Sequence, residues 1–400
     1  MTLRYISCTT SDRPYDGMNF LNFDGKGGNN NAYFCYGHFN NFPIHQIHSC
    51  QWLDILPKQD IKLILYWQQS PFFCDFSPLP TEVCDRIRND PNVYLLCVDA
   101  LESILFTDKY TQQCIKYNVP ANKTIVLTSN HEINNRCVDG INYLSIEYWE
   151  SMTRHHYRWM SSANMVTMDQ READIHTASK KFISLNRNLK VSRMAWKYAM
   201  SLTGLQSQGH VSYHLPSVTA FGTTNHETMV YNQLSGWFPD IEKSQVQHVV
   251  SKHLHLLELD DLSNHHHPVS YTGDIINYYR DSLVSFISES HHDTVFLTEK
   301  TFKAIAMGHP YFIIGTPEMH ARMREKGYYT FERLFGCRQI TNMKEMLSAC
   351  ELMRQRSITD LRREILTEWM PKIRHNFELF FNSQTDWISI ENRIKSKIIK

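Results

Sequence analysis

Residues 283–315 read Leu-Val-Ser-Phe-Ile-Ser-Glu-Ser, then the His-rich stretch His291-His292-Asp293-Thr294-Val295, then Phe-Leu-Thr-Glu-Lys-Thr-Phe-Lys-Ala-Ile-Ala-Met-Gly-His-Pro-Tyr-Phe-Ile-Ile-Gly. The pattern predicts a strand, a loop, a helix opening on Thr298-Glu299-Lys300, and a second strand. Thr298 suits the N-cap of that helix. Phe302, Ile305 and Ala306 recur at the spacing of a buried face, Gly308 suits the position just past the end, and Pro310 follows it. Glu299 and Lys300 then lie in the first turn, where the backbone amides favour an anion such as a diphosphate. The glutamate agrees with the helix dipole and the lysine opposes it, so the cation needs a reason that a bound diphosphate would supply. The plain alternative is two solvated surface residues.

Working outward, the same alternation recurs. Strand-length apolar runs at Lys62–Trp67, Val93–Val98 and Thr124–Thr128 alternate with helical stretches at Thr81–Asn89 and Leu101–Tyr117. A second series holds a strand at Phe182–Leu185, a helix at Val191–Leu202 closed by Gly204, a strand at His210–His214, and the unit just described. Pro317–Lys326 reads as a further helix ended by Gly327, and helices fill most of Met343–Phe381. Alternation of this kind implies parallel strands joined by helices, hence an α/β chain of two Rossmann-like domains facing each other. The expected division is residues 1–160, a helical linker at 161–179, a second domain at 180–380, and a tail or helix at 381–400. The first fifty or so residues, rich in Asn, Gly and aromatics, read as an ordered loop region.

Ligands of such sheets sit at the carboxyl ends of the strands. Reading off those ends gives Gln68, Gln69 and Ser70, then Asp99, then Ser129, Asn130 and His131, and in the second half Asn186 and Arg187, then Glu289 and Ser290. Between Phe182 and Arg193 the chain runs from a strand into a helix through a turn holding Arg187, Lys190 and Arg193. Guanidinium groups hold phosphate oxygens bidentately and keep their charge at neutral pH.

Composition narrows the classes. At 400 residues, two domains are the natural expectation. Lys+Arg and Asp+Glu both number 41, so no global positive field exists to coat nucleic acid. The ten cysteines include no Cys-x-x-Cys pair, which suits reduced cytosol better than a zinc ribbon or a disulfide scaffold. No apolar run of about 20 residues predicts a membrane span, and no leader is evident at Met1. The expected location is cytoplasmic.

The stretch from Glu289-Ser290 through Phe296-Leu297-Thr298-Glu299-Lys300 to Gly308-His309-Pro310 and Gly315 resembles the donor-binding motif of the α-1,3-fucosyltransferase family. The segment Phe182–Arg193 is similar to the strand–Asn–basic-helix element that precedes it in that family. The resemblance implies the two-domain glycosyltransferase-B (GT-B) fold and transfer of a sugar from a nucleotide-sugar co-substrate, with no other cofactor. It implies that Arg193 and Lys300 neutralise the donor diphosphate, that Glu299 holds ribose hydroxyls, and that Glu289 faces the sugar or the ribose. Asn186, Arg187, Ser290, Phe296 and Thr298 complete the expected donor side.

The chain departs from the family where the family shows Glu-Ser-Pro, with the glutamate as base: Gln69-Ser70-Pro71 stands at that place. Glutamine cannot take a proton, and inverting transfer needs a base for the acceptor hydroxyl. Asp75, Asp99 and His131 are the candidates for that base, and Glu289 on the donor side is counted with His131 and Asp99 among the catalytic residues. Retention of configuration, or an acceptor acidic enough to need little help, are the other ways out. Gln69 and Ser70 would still touch the acceptor, a glycan or a hydroxymethylated DNA base. No Asp-x-Asp occurs in the chain, and the adjacent histidines at 265–267 and 291–292 are poorly arranged for one ion, so no metal is expected. The rival from another class is a non-catalytic nucleotide-sugar or glycan-binding protein that keeps the fold.

Overall fold

Short runs of aliphatic and β-branched residues become the strands of two sheets, and amphipathic stretches between them become the covering helices. The computed structural model describes residues 3–8, 44–47, 53, 57–67, 76, 79–99, 106–159, 166–186, 191–213, 231–232, 234–235, 242–244, 273–289, 294–383 and 387–398. The chain divides into two units, Met1–His156 with Gln384–Lys400, and Tyr157–Ser383.

In the first unit the strands are β1 Leu3–Cys8, β2 Ile44–Ile47, β3 Ile61–Trp67, β4 Val93–Asp99, β5 Thr124–Thr128, β6 Cys137–Val138 and β7 Ile141–Ser145. They lie in the order β2-β1-β3-β4-β5-β7-β6. Only the β6–β7 pairing is antiparallel among these. The order reverses direction between β1 and β3, the switch point of a Rossmann-like sheet. Helices α1 Thr81–Asn89 and α2 Thr107–Lys116 follow β3 and β4, and α3 Tyr148–Trp159 follows β7. Ile64, Val93, Leu95, Cys97 and Val126 from the strands pack with Phe76, Ile87 and Tyr110 into one core.

The second unit holds α4 Met168–Thr177, β8 Lys180–Asn186, α5 Val191–Thr203, β9 Gly209–Tyr213, α6 Gly273–Arg280, β10 Ser282–Ser288, α7 Glu299–Ala306 and β11 Tyr311–Ile314. The strands are all parallel in the order β11-β10-β8-β9. The order reverses between β8 and β10. Phe286 on β10 centres the core, with its ring 4.7 Å from Trp196, 5.5 Å from Phe182 and 5.0 Å from Phe335. Later helices include α8 Pro317–Glu325, α10 Met343–Gln355 and α12 Met370–Asn382, with the short α9 Glu332–Phe335 and α11 Ile358–Glu364 between them. Both units are thus Rossmann-like.

Several boundaries differ from the expectation. The opening region read as loop supplies β1 and β2, and α2 begins at Thr107 where the pattern placed its start at Leu101. Residues 161–179, read as a linker, contribute α4 to the second unit. Arg171 on α4 is buried and donates to the carbonyls of Leu283 (2.8 Å), Gly308 (3.1 Å) and Tyr279 (3.5 Å). Asp174 on the same helix accepts both Nε and Nη2 of Arg280 at 3.0 Å. A polar composition thus staples the helix to α6, to the start of β10 and to the end of α7. The last helix, α13 Trp387–Ile398, belongs to the first unit, where Arg393 donates to the Ser145 carbonyl at 2.9 Å.

Candidate donor site

The carboxyl ends of β8 and β10 flank the switch point of the second sheet, and each strand runs into a helix whose first turn lies there. On β8 the last residue is Asn186, 2% exposed. Its backbone N–H donates to Ser212 Oγ (3.2 Å), and its Nδ2 donates to Ser184 Oγ (3.3 Å). On β10 the strand ends at Ser288, followed directly by Glu289.

Arg193, in the first turn of α5 and 2% exposed, donates through Nε to the Ser288 carbonyl at 3.3 Å. Ser192 Oγ lies 3.3 Å from Ser288 Oγ. Those contacts fasten the head of α5 to the end of β10. Lys197, one helical turn after Arg193 on the same face, is also buried. Burying two cations on one helix face is expensive unless anions or dipoles answer them.

Glu289 shows no exposed surface. Its Oε1 accepts the Thr298 N–H (2.9 Å) and Thr301 Oγ1 (2.7 Å), and its Oε2 accepts Thr298 Oγ1 (2.5 Å). Lys300 Nζ lies 3.8 Å from Oε2. The carboxylate therefore serves as a brace at the head of α7, and the group expected to face a sugar is held by the protein's own donors. Thr298 caps as the sequence implied, its Oγ1 accepting the Lys300 N–H (3.3 Å) and also Lys300 Nζ (3.0 Å). Phe296 is buried as an apolar anchor ahead of the cap.

Glu299 is buried and lies 3.3 Å from Lys300 Nζ. Burial would raise its pKa, but the charges of Lys300 and Lys303, with hydrogen bonds from its own backbone and from Lys300, outweigh that and lower it. Lys303, one turn on, is pushed down to about 8 by burial, with Glu299 opposing and Lys300 adding to the fall. The first turn of α7 is therefore a tight lattice of alternating charge. Arg193 and Lys300 reach consecutive residues, Ser288 and Glu289, from two different helices.

The Gly308-His309-Pro310 part of the motif lies elsewhere, before β11 and so at the opposite edge of the sheet. His309 donates to nothing in the site. Its Nε2 meets the Tyr279 carbonyl (2.9 Å) and its Nδ1 meets Ser285 Oγ (3.0 Å), which assigns the proton to Nε2. Burial, with Arg171 nearby, holds the ring well below its usual pKa. This half of the motif builds the fold.

In the first unit, Asp99 closes β4, is buried, and accepts Tyr110 Oη at 2.9 Å. His131 follows β5, and its Nε2 lies 3.5 Å from Glu147 Oε1. Strands β4 and β5 are neighbours, so the two share one sheet edge. Gln69, Ser70, Asp75, Arg187, Ser290 and the histidines at 265–267 and 291–292 lie outside the described residues. Among the described residues, no three His, Cys, Asp or Glu side chains gather as metal ligands, no disulfide joins the cysteines, and no helix is long and apolar enough to cross a membrane.

Sequence reading missed Ser288, Ser192, Thr301 and Lys197. The i, i+4 spacing of Arg193 and Lys197, and Thr301 three residues after the cap, were the available signals. Nothing in the sequence marks Ser288 as an acceptor for Arg193.

No protein-family model matches the chain, and no curated protein matches it. One solved structure that it resembles is described as trehalose-6-phosphate from E. coli bound with UDP-2-fluoro glucose. The two share 12% identity with a TM-score of 0.41, over 100% of this chain and 92% of the other.

Proposed function

We propose that the chain is a glycosyltransferase of the GT-B kind, which moves a sugar from a nucleotide-sugar donor to a hydroxyl acceptor. One observation carries this reading. Two helices bring a guanidinium and an ammonium, Arg193 and Lys300, to the ends of neighbouring parallel strands at a switch point. A diphosphate leaving group needs such fixed cations at helix N-termini, where they act in place of a metal. Reaction without a metal and with inversion is part of the proposal, as is the fucosyltransferase-like character that the Thr298-Glu299-Lys300 motif suggests.

In this mechanism Arg193 and Lys300 stabilise the charge that develops on the departing diphosphate, and Glu299 accepts ribose hydroxyls. Glu289 holds Thr298, Thr301 and Lys300 in place. For the base that deprotonates the acceptor we favour His131, whose imidazole is partly exposed beside Glu147, over the shut-in Asp99. The acceptor is a glycan or a hydroxymethylated DNA base, and the setting is cytoplasmic.

The decisive experiment is a thermal-shift panel of nucleotide sugars on the full chain, since a ligand that binds only the folded state raises apparent stability. Binding should weaken by about 10- to 100-fold in Lys300→Ala, the range expected for a charge-assisted hydrogen bond. Arg193→Lys should behave similarly because an ammonium does not reproduce the guanidinium fork. If wild-type protein ignores every nucleotide sugar, the proposal fails. The non-catalytic reading is favoured by one observation, that Glu289 and Asp99 are both engaged by protein donors. Donor binding without transfer or hydrolysis in any acceptor mixture would establish it.

A further inference from the structure

The side-chain carbonyl of Asn186 is a buried acceptor with no hydrogen-bond partner among the described residues, although the amide nitrogen and the backbone N–H of the same residue are both engaged. Folded proteins seldom leave such a group unmet, so its position asks for an explanation. Strand pairing supplies one. Val284 lies opposite Phe182 and Ser285 opposite Ile183, and continuing that register three residues sets Ser288 opposite Asn186. Asn186 therefore stands about one strand spacing, roughly 4.8 Å, from the residue whose carbonyl Arg193 grips. Ser184, two residues back, shares its face of the sheet and orients the amide.

We propose that the Asn186 carbonyl accepts a hydrogen bond from a hydroxyl next to the donor's diphosphate, on the ribose or on the transferred sugar. The assignment rests on the nucleotide-sugar reading above. A carbonyl oxygen recognises a hydrogen donor and not a phosphate oxygen, so Asn186 complements the two cations: they hold charge, and it reads a sugar. At one strand spacing from the phosphate clamp, the sugar hydroxyls are in reach, whereas a nucleobase is separated from the diphosphate by the whole ribose. As the donor seats, an unmet acceptor becomes a met one, and binding gains what the empty site forgoes.

The test compares wild type with Asn186→Leu, which keeps side-chain bulk and removes the acceptor. Three probes are titrated: inorganic pyrophosphate, a nucleoside diphosphate, and the nucleotide sugar that binds best. Asn186→Leu should bind pyrophosphate as wild type does and lose about tenfold or more on a hydroxyl-bearing probe. Loss already with the nucleoside diphosphate places the contact on the ribose; loss only with the nucleotide sugar places it on the transferred sugar. Its ligand-free melting temperature should stay within a few degrees of wild type. Affinity within twofold for all three probes, or equal losses that include pyrophosphate, overturns the inference. Should the variant not fold, analogues lacking single hydroxyls are titrated on wild type and on Ser184→Ala. Unchanged affinity for every analogue on wild type then overturns it. Wild type that binds pyrophosphate but none of the nucleotides defeats the parent reading instead, so the two failures are distinct.

Discussion

Replacing Glu289 separates a brace from a reacting group. In Glu289→Ala three donors lose a charged acceptor at once: the Thr298 N–H, Thr298 Oγ1 and Thr301 Oγ1, at 2.9, 2.5 and 2.7 Å. Hydrogen bonds to charged groups contribute about 1.5–3 kcal/mol each, and part of that is returned because a buried charge disappears with them. The net loss is expected at about 3–5 kcal/mol, the range for breaking a buried charged network. For a unit of this size that corresponds to a fall of roughly 6–20 °C in melting temperature. Glu289→Gln keeps the volume and one carbonyl acceptor, and the threonine hydroxyls can turn to accept the new amide, so about 1–2 kcal/mol is expected. Thermal melts and steady-state transfer are measured on the same preparations. A brace predicts a clear drop in melting temperature for Glu289→Gln with kcat reduced less than tenfold. A reacting acid or base predicts the reverse, an unchanged melt with kcat down by about 10²–10⁴. The second outcome would refute the assignment of Glu289 as a positioning residue.

Other perturbations test other joints. Gly308 has φ 63°, and a Cβ there would stand 2.9 Å from Arg171 Cγ, so Gly308→Ala should cost about 2–5 kcal/mol by thermal melt, from backbone strain plus overpacking. Because Gly308 lies at the opposite sheet edge, the folded variant should bind donor as wild type does. Lys303 has a folded pKa of about 8, below its ordinary 10.5, so the unfolded chain holds more protons between those values. Stability is therefore penalised in full below pH 8 and recovers as pH rises toward 10.5. In Lys303→Met that recovery should vanish, and chemical denaturation at pH 7.5 and 10 should show its advantage over wild type shrinking by about 1–3 kcal/mol. If the His131 assignment holds, His131→Gln should lower kcat by about 10²-fold or more with donor affinity unchanged.

The strand–helix–strand unit at 283–315 was legible because its apolar periods, cap and terminating glycine all point one way, and Thr298 caps α7 as those residues require. The strands β1 and β2 were not, because the segments Leu3–Cys8 and Ile44–Ile47 flank a sequence rich in turn residues and become strands only through long-range pairing in the sheet. For α4 the composition misled for a physical reason. Arg171 and Asp174 look like solvent residues in a list, yet each is buried against partners more than a hundred positions away.

The stretch from Glu289 to Pro310 was similarly half legible. Its residues share one sequence window but serve two ends of a sheet: Glu289, Thr298 and Lys300 at the carboxyl edge, Gly308, His309 and Pro310 at the other. A strand of seven residues and a helix of eight fix that separation, so the spacing in the motif is a consequence of carrying a chain out along β10 and back down α7. Arg193 enters the same site from a helix a hundred residues earlier because β8 and β10 are neighbours across the switch point. Charge and topology therefore answer different questions. On the proposed reading, the residue types call for an anion, and the strand order sets their meeting point beside Ser288.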